Sequence, residues 1–323
     1  MRKAIVRAAI YERPGSPEVL QIKDAPDPVC AVDDVLIRIE AISLEGGDVI
    51  NRAQAEPPPS GIVGYAAAGT IIEVGSAVRD RRVGQRVTSW NLAGSHAEIR
   101  AVPASRTWIL PDDLSMERAA CIPIGFGTAQ HCLFNRGRLV SGETVLIQAG
   151  AGGVGLGAVQ MARAAGATVI ATVSGASRAE RLRSMGLDHA IDHRTANVAS
   201  EVRRLTQGQG VDLVVDPVGS TLRTSLDCLR PEGRLVVVGN AGGGTLDLDL
   251  WPALQSNQTL LGVFMGSQFE KPDVHDAVGD LLNQAARGDL EVVIDKRFPL
   301  AETATAHRYA ETEPVLGRVV IVP

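Results

Sequence analysis

Val145-Leu146-Ile147-Gln148, then Gly150-Ala151-Gly152-Gly153-Val154-Gly155, then the small-residue run from Leu156 to Ala165 read as a buried strand, a tight glycine turn and a helix. A GxGxxG string alone is weak. Here it follows an apolar strand and opens a helix whose Val154, Ala158, Met161, Ala162 and Ala165 share one face, the setting of a dinucleotide-binding turn. Glycines suit that turn because the main chain must approach a pyrophosphate and the helix must pack close to the strand. The helix's first amides then face the anion. An ordinary tight strand-to-helix connection is the bland alternative.

Outward from this stretch, the 323 residues suffice for about two domains, each with its own core. Lys and Arg total 32 against 37 Asp and Glu, a net charge of -5, so bulk electrostatics do not favour nucleic acid or an anionic membrane. No apolar run is long enough to span a bilayer, and Met1 to Ile10 lacks the apolar stretch and cleavage site of a secretory leader. A cytoplasmic location is expected. Cys30, Cys121, Cys132 and Cys228 are widely spaced without a CxxC pair, as free thiols would be. Aromatics are only 3% of the chain, so its packing relies on small and aliphatic side chains.

The first third reads as short strands between Pro and Gly turns: Lys3–Ala9, Val19–Lys23, Val35–Ile42, Gly69–Val74 and Arg86–Ser89. From about Thr144, strands alternate with helices. They are Val145–Gln148, Thr168–Val173, His189–Asp192, Val211–Asp216, Arg234–Gly239 and Thr259–Phe264. That alternation predicts an α/β fold with a doubly wound parallel sheet. A helix from about Val274 to Arg287 and a strand near Arg318–Val322 depart from it and are expected to pack back onto the first domain.

Further strings then carry a resemblance over nearly the whole length. They are Gly94-Ser95-His96-Ala97-Glu98, Ile122-Pro123 followed by Thr128-Ala129, Gly142 to Ile147, Ala149 to Gly155, Gly186 to Asp192, Gly210-Val211-Asp212, Asp216-Pro217-Val218-Gly219 and Gly317-Arg318-Val319-Val320. On these the chain resembles the medium-chain dehydrogenase/reductase superfamily, in its zinc-independent quinone oxidoreductase, or zeta-crystallin-like, branch. The resemblance implies a GroES-like, mainly β catalytic domain made by both chain ends (residues 1–122 and 266–323). It also implies a Rossmann NADPH-binding domain (123–265) inserted between them and a homodimeric assembly.

The zinc-dependent branch holds its metal with an early Cys, a Gly-His-Glu string and a later Cys or Asp. At the first two places this chain reads Ser43-Leu44-Glu45-Gly46-Gly47-Asp48 and Gly64-Tyr65-Ala66, and it lacks a four-cysteine lobe between Trp90 and Pro111. His96, His131 and Cys121 are read as packing and hydrogen-bonding residues, so no metal site is expected.

NAD enzymes of this architecture place a carboxylate at the end of the second strand for the ribose 2′-hydroxyl. Here Thr172-Val173-Ser174-Gly175 stands there, with Arg178 one turn further on, which favours the 2′-phosphate of NADPH. Arg178, Arg181 and Arg183 equally suit a solvated helix face. Gly150, Gly152, Gly153, Val154 and Gly155 are the pyrophosphate candidates. The resemblance adds His193 at the adenosine end, Thr128, Gly239 and Asn240 near the nicotinamide, and Arg318 in the closing string. Phe264 is read either as a nicotinamide neighbour or as core or dimer-interface packing.

On the acceptor side the branch commonly carries Asn-Pro-x-Asp followed by a Tyr. This chain has Glu45 for the Asn, Gly46 for the Pro and Ile50 for the Tyr, and keeps Asp48. Without zinc ligands there is no Lewis acid for alcohol oxidation, whereas hydride delivery to a quinone or an α,β-unsaturated carbonyl needs only a polarised oxygen and a proton. Tyr65, Glu45 and Asp48 are the polar candidates. Two other readings compete: an NADPH-binding protein with little turnover, crystallin-like or RNA-binding, and a zinc alcohol dehydrogenase.

Overall fold

The computed structural model describes residues Ile5 to Pro323, so Lys3, at the start of the first expected strand, lies outside the described residues. The chain divides into two compact units. One comprises the described residues up to Ile124 together with Gly266–Pro323, and the other is Gly125–Met265.

The first unit opens with β1 (Ile5–Ile10) and β2 (Gln21–Pro26), an antiparallel ribbon. Then follow β3 (Asp34–Leu44), β4 (Ala66–Val74), β5 (Arg86–Trp90), β6 (Ile99–Pro103) and β7 (Thr107–Ile109). The second unit holds β8 (Thr144–Ile147), β9 (Thr168–Val173), β10 (His189–Asp192), β11 (Val211–Asp216), β12 (Leu229–Val237) and β13 (Thr259–Gly262). After it, β14 (Ile294–Pro299) and β15 (Arg318–Val322) rejoin the first unit's sheet.

In the second unit all strands are parallel, ordered β10-β9-β8-β11-β12-β13. This is the doubly wound order of a dinucleotide-binding sheet, in which the chain reverses direction of build between β8 and β11. Val145, Leu146 and Ile147 are fully buried, as a central parallel strand covered on both faces requires. The predicted Rossmann sheet is therefore present. Its β12 begins earlier than the apolar run implied: Leu229 already pairs with Val211, and the ladder then shifts register before Arg234 across Pro231-Glu232-Gly233, where Glu232 takes a positive φ of 64°.

In the first unit the sheet order is β14-β15-β3-β4-β5-β7, with β6 pairing β3. The long β3 is its hub. Its first half pairs with β6 and its last residues with β15, in the register Leu44↔Val319 and Ile42↔Ile321. Ile39, Ile42, Leu44, Phe298, Leu300, Val319 and Ile321 form the core beneath that junction, so both chain ends build one domain. The short β6, β7 and β14 escape a reading by periodicity because they contribute few alternating positions. Among the described residues no helix is long and apolar enough to cross a membrane.

Candidate functional site

In the second unit the glycine turn leaves β8 at the point where the sheet reverses. Gly150 N–H donates to the Thr172 carbonyl on β9 (2.9 Å) and Gln148 N–H to the Val215 carbonyl on β11 (3.0 Å), so the turn is tied to both neighbouring strands. A buried side-chain chain reinforces it. Thr172 Oγ1 accepts from Ala149 N–H (2.9 Å) and donates to Gln148 Oε1 (2.8 Å); Gln148 Nε2 donates to Ser225 Oγ (3.0 Å), and Ser225 donates to Asp216 Oδ2 (2.7 Å). Asp216 also accepts the amides of Val218 and Gly219 and the Thr221 hydroxyl. Sequence inspection does not single out Gln148, Ser225 or Asp216 for this network, because its members come from separate strands and a helix.

The helix Gly153–Ala164 starts at Gly152, whose carbonyl accepts from Leu156 N–H (2.8 Å). The amides of Gly153, Val154 and Gly155 thus occupy the first turn, which has no intrahelical acceptors and favours an anion. Two glycines do different work here. A Cβ on Gly155 would lie 2.4 Å from the Ala149 carbonyl oxygen and 2.6 Å from Gly150 Cα, so Gly155 is needed for the helix to close on the turn. A Cβ on Gly152 would meet only the Ala149 oxygen at 3.4 Å and otherwise project into open space. The cradle therefore fits a dinucleotide pyrophosphate.

At the ends of β9 and β10 the structure brings Ser174 and His193 together, Oγ to Nε2 at 2.9 Å. Arg178 Nε donates to the Ser174 carbonyl at 2.7 Å, which folds the guanidinium back over the strand end. Asp192 accepts the amides of Gly175 (2.9 Å) and Arg194 (3.0 Å), and those bonds hold its carboxyl below the ordinary range. Arg194, which the sequence reading left unassigned, lies beside Gly175 and adds a second cation. Gly239 and Asn240 follow β12, where Asn240 Nδ2 donates to the Gly244 carbonyl (2.8 Å). Thr128 is buried on the Gly127–Gln130 helix. Phe264 is 67% exposed just beyond the edge strand β13.

In the first unit Glu45, Asp48 and Tyr65 form one cluster where β3 runs into the helix Gly46–Gln54. Asp48 is fully buried. Its Oδ2 accepts Glu45 N–H (2.9 Å), closing the helix start, and its Oδ1 accepts Tyr65 N–H (3.0 Å). Burial pushes the Asp48 carboxyl well up. Glu45, 1% exposed, accepts from Ser43 Oγ (2.7 Å) and forms an ion pair with Arg318. Burial raises the Glu45 carboxyl while Arg318 and Ser43 oppose that rise. The expectation of Glu45 as an acid and of Arg318 as a cofactor contact thus meets a different arrangement, in which each is engaged by the other. The cause is register: β15 beside β3 places Arg318 next to the carboxylate.

Tyr65 is only partly buried. Its hydroxyl accepts from Asn51 Nδ2 at 2.8 Å, and its carbonyl accepts from Asn91 N–H (2.9 Å) and Arg100 (3.1 Å). Gly47 lies flat against the ring, where a Cβ would come within 2.3 Å of Cε2. Of the residues weighed as metal ligands, His96 hydrogen-bonds Ser95 (3.1 Å) and His307 (3.2 Å), and Cys121 Sγ donates to the Glu117 carbonyl (3.2 Å). His131 is buried on the second unit's helical segment His131–Arg136. Among the described residues no group of three or more His, Cys, Asp or Glu side chains is placed to hold a metal ion.

Comparisons with known proteins agree with this architecture. Residues 31–112 match the alcohol dehydrogenase GroES-like domain family, and residues 153–283 the family described as zinc-binding dehydrogenase. The chain is 36% identical over 316 residues to a quinone oxidoreductase of Pseudomonas aeruginosa, covering 96% of this chain and 97% of that protein. It is 34% identical over 334 residues to a 2-haloacrylate reductase of a Burkholderia species, covering 99% of each. The structure of Escherichia coli quinone oxidoreductase complexed with NADPH superposes with a TM-score of 0.93 at 28% identity, covering 98% of this chain and all of that one. With both family domains present and these relatives aligned end to end, the chain belongs to the medium-chain dehydrogenase/reductase superfamily, in its quinone oxidoreductase branch.

Proposed function

We propose that this protein is a zinc-independent oxidoreductase that uses NADPH to reduce a quinone or an α,β-unsaturated carbonyl compound. The observation that carries this reading is the glycine cradle that closes β8 onto the helix Gly153–Ala164; the first unit adds a partly buried phenol, Tyr65, whose hydroxyl accepts from Asn51 at 2.8 Å. Bound at the glycine turn, NADPH supplies the hydride. The first-turn amides of Gly153, Val154 and Gly155 would hold the pyrophosphate, and Ser174, Arg178, His193 and Arg194 would hold the 2′-phosphate. Gly239, Asn240 and Thr128 would serve the nicotinamide end.

Hydride adds to the electrophilic carbon, and the electron pair of the conjugated system moves onto the carbonyl oxygen. Tyr65 donates a hydrogen bond to that oxygen and stabilises the developing charge; a proton from Tyr65 or water completes the reduction. Burial raises the Tyr65 phenol above its ordinary range, so it is a neutral donor near pH 7. Asp48 serves by fixing the Tyr65 main chain. Support for a conjugated acceptor comes from the Burkholderia relative, whose name specifies an acrylate.

We further propose a homodimer formed along β13. Trp251 and Leu254, on the helix Trp251–Gln255 that leads into that edge strand, and Phe264 just after it are 63%, 66% and 67% exposed, and an edge that pairs with no other strand among the described residues calls for a partner. The four cysteines are free, as suits the reducing cytoplasm. Single-turnover oxidation of NADPH by a panel of enones and quinones tests the reading. Turnover by the wild type and a loss on the order of 100-fold in Tyr65→Phe are expected, the scale of losing one transition-state donor. Tight NADPH binding with no acceptor reduced favours a binding protein instead, and bound zinc with chelator-sensitive alcohol oxidation favours the alcohol dehydrogenase reading.

A further inference from the structure

We infer that Asn51 is a positioning residue that sets the direction in which Tyr65 donates its proton, an inference that rests on the role proposed above for Tyr65. Tyr65 is immobilised at four points: its amide on Asp48, its carbonyl under Asn91 and Arg100, its ring against Gly47, and its hydroxyl under Asn51. Gly47, Asp48 and Asn51 all come from one helix, Gly46–Gln54. Gly47 and Asn51 are four residues apart and so lie one above the other on the face that meets the tyrosine.

The chemistry of the last contact matters most. A phenol oxygen has one proton to give and lone pairs to receive. Asn51 Nδ2 is a donor only, so it occupies a lone pair and leaves the phenolic proton to be given elsewhere. Among the described residues no side chain or carbonyl accepts that proton from Tyr65. Donation into the phenol also favours its anionic form, which makes it a better acid at the moment an acceptor oxygen becomes basic. An isoleucine or leucine at this position would leave the hydroxyl free to rotate. An aspartate would fill the same volume but reverse the polarity and capture the proton.

The test measures Asn51→Leu and Asn51→Asp beside Tyr65→Phe. Tyrosinate absorbance is titrated on the protein without cofactor, where subtracting the Tyr65→Phe curve isolates Tyr65 from Tyr11 and Tyr309. Both Asn51 variants are expected to move Tyr65 ionisation to higher pH, the aspartate further. In single turnover with an enone, Asn51→Leu is expected to slow hydride transfer about tenfold, roughly the worth of one hydrogen bond. Asn51→Asp is expected to approach Tyr65→Phe, with NADPH affinity unchanged in both. The inference is overturned if neither variant moves the Tyr65 titration, or if both transfer hydride at the wild-type rate while Tyr65→Phe is slow. If Tyr65→Phe itself transfers hydride normally, the tyrosine's role falls and Asn51's with it, whereas the first two results would sink Asn51's role alone.

Discussion

Arg318, the first residue of the last strand, pairs with Glu45, the buried residue between β3 and the helix Gly46–Gln54, so the last strand is joined to β3 by charge as well as by backbone pairing. Arg318 is 9% exposed and Glu45 1%. Breaking a buried pair from one side strands a charge, which costs about 3–5 kcal/mol, while replacing both members with apolar or neutral groups is close to neutral. Arg318→Met and Glu45→Gln should each lower the urea midpoint substantially, and the double variant should recover most of the loss. A double variant as unstable as the sum of the singles would mean the two residues act independently.

His96 and His307 share a single Nε2···Nε2 contact in a fully buried site, which requires at least one neutral ring. Burial pushes His96 down to about 3 and His307 well below its usual value. A histidine whose folded-state value lies below its unfolded one contributes stability that is whole above about pH 6.5 and drains away as pH falls toward the folded value. Each such group should steepen the acid side of the stability curve by roughly 1.4 kcal/mol per pH unit. Thermal unfolding of His96→Asn between pH 7 and 4 should show a flatter decline than wild type. An equally steep curve would assign the acid sensitivity elsewhere.

Ser174 and Arg178 give the cofactor preference a direct check. Arg178→Ala should weaken NADPH by about ten- to a hundredfold, the scale of a charge-assisted hydrogen bond, and leave NADH nearly unchanged. Ser174→Asp should move preference toward NADH by placing a carboxylate where the 2′-phosphate would sit. Equal losses for both cofactors in Arg178→Ala would show that this arginine supports the fold and does not read the phosphate.

The apolar edge beyond β13 predicts an association that substitution can break. Leu254→Asp with Phe264→Asp should convert a dimer to a monomer in sedimentation velocity while leaving the far-ultraviolet spectrum intact, since both side chains are exposed within one chain. A wild-type protein that sediments as a monomer at micromolar concentration would remove the dimer proposal.

What the sequence by itself determined is the nucleotide half. A parallel strand buried on both faces writes itself as an unbroken apolar run, and the glycine turn and the helix after it are contiguous, so β8 and Gly150 to Gly155 are legible as local signals. Even the absence of an acid at Ser174 is read from a fixed distance along the chain. The first unit is different because its contacts join residues from remote segments. Asp48 and Tyr65 meet because the helix Gly46–Gln54 leans on the start of β4, and Glu45 meets Arg318 because β15 adds to the side of β3. No periodicity announces those pairings. Only the tertiary structure decided that Glu45 is a partner for Arg318, and that Asn51, one side chain among many polar ones in the sequence, lies on the hydroxyl of Tyr65.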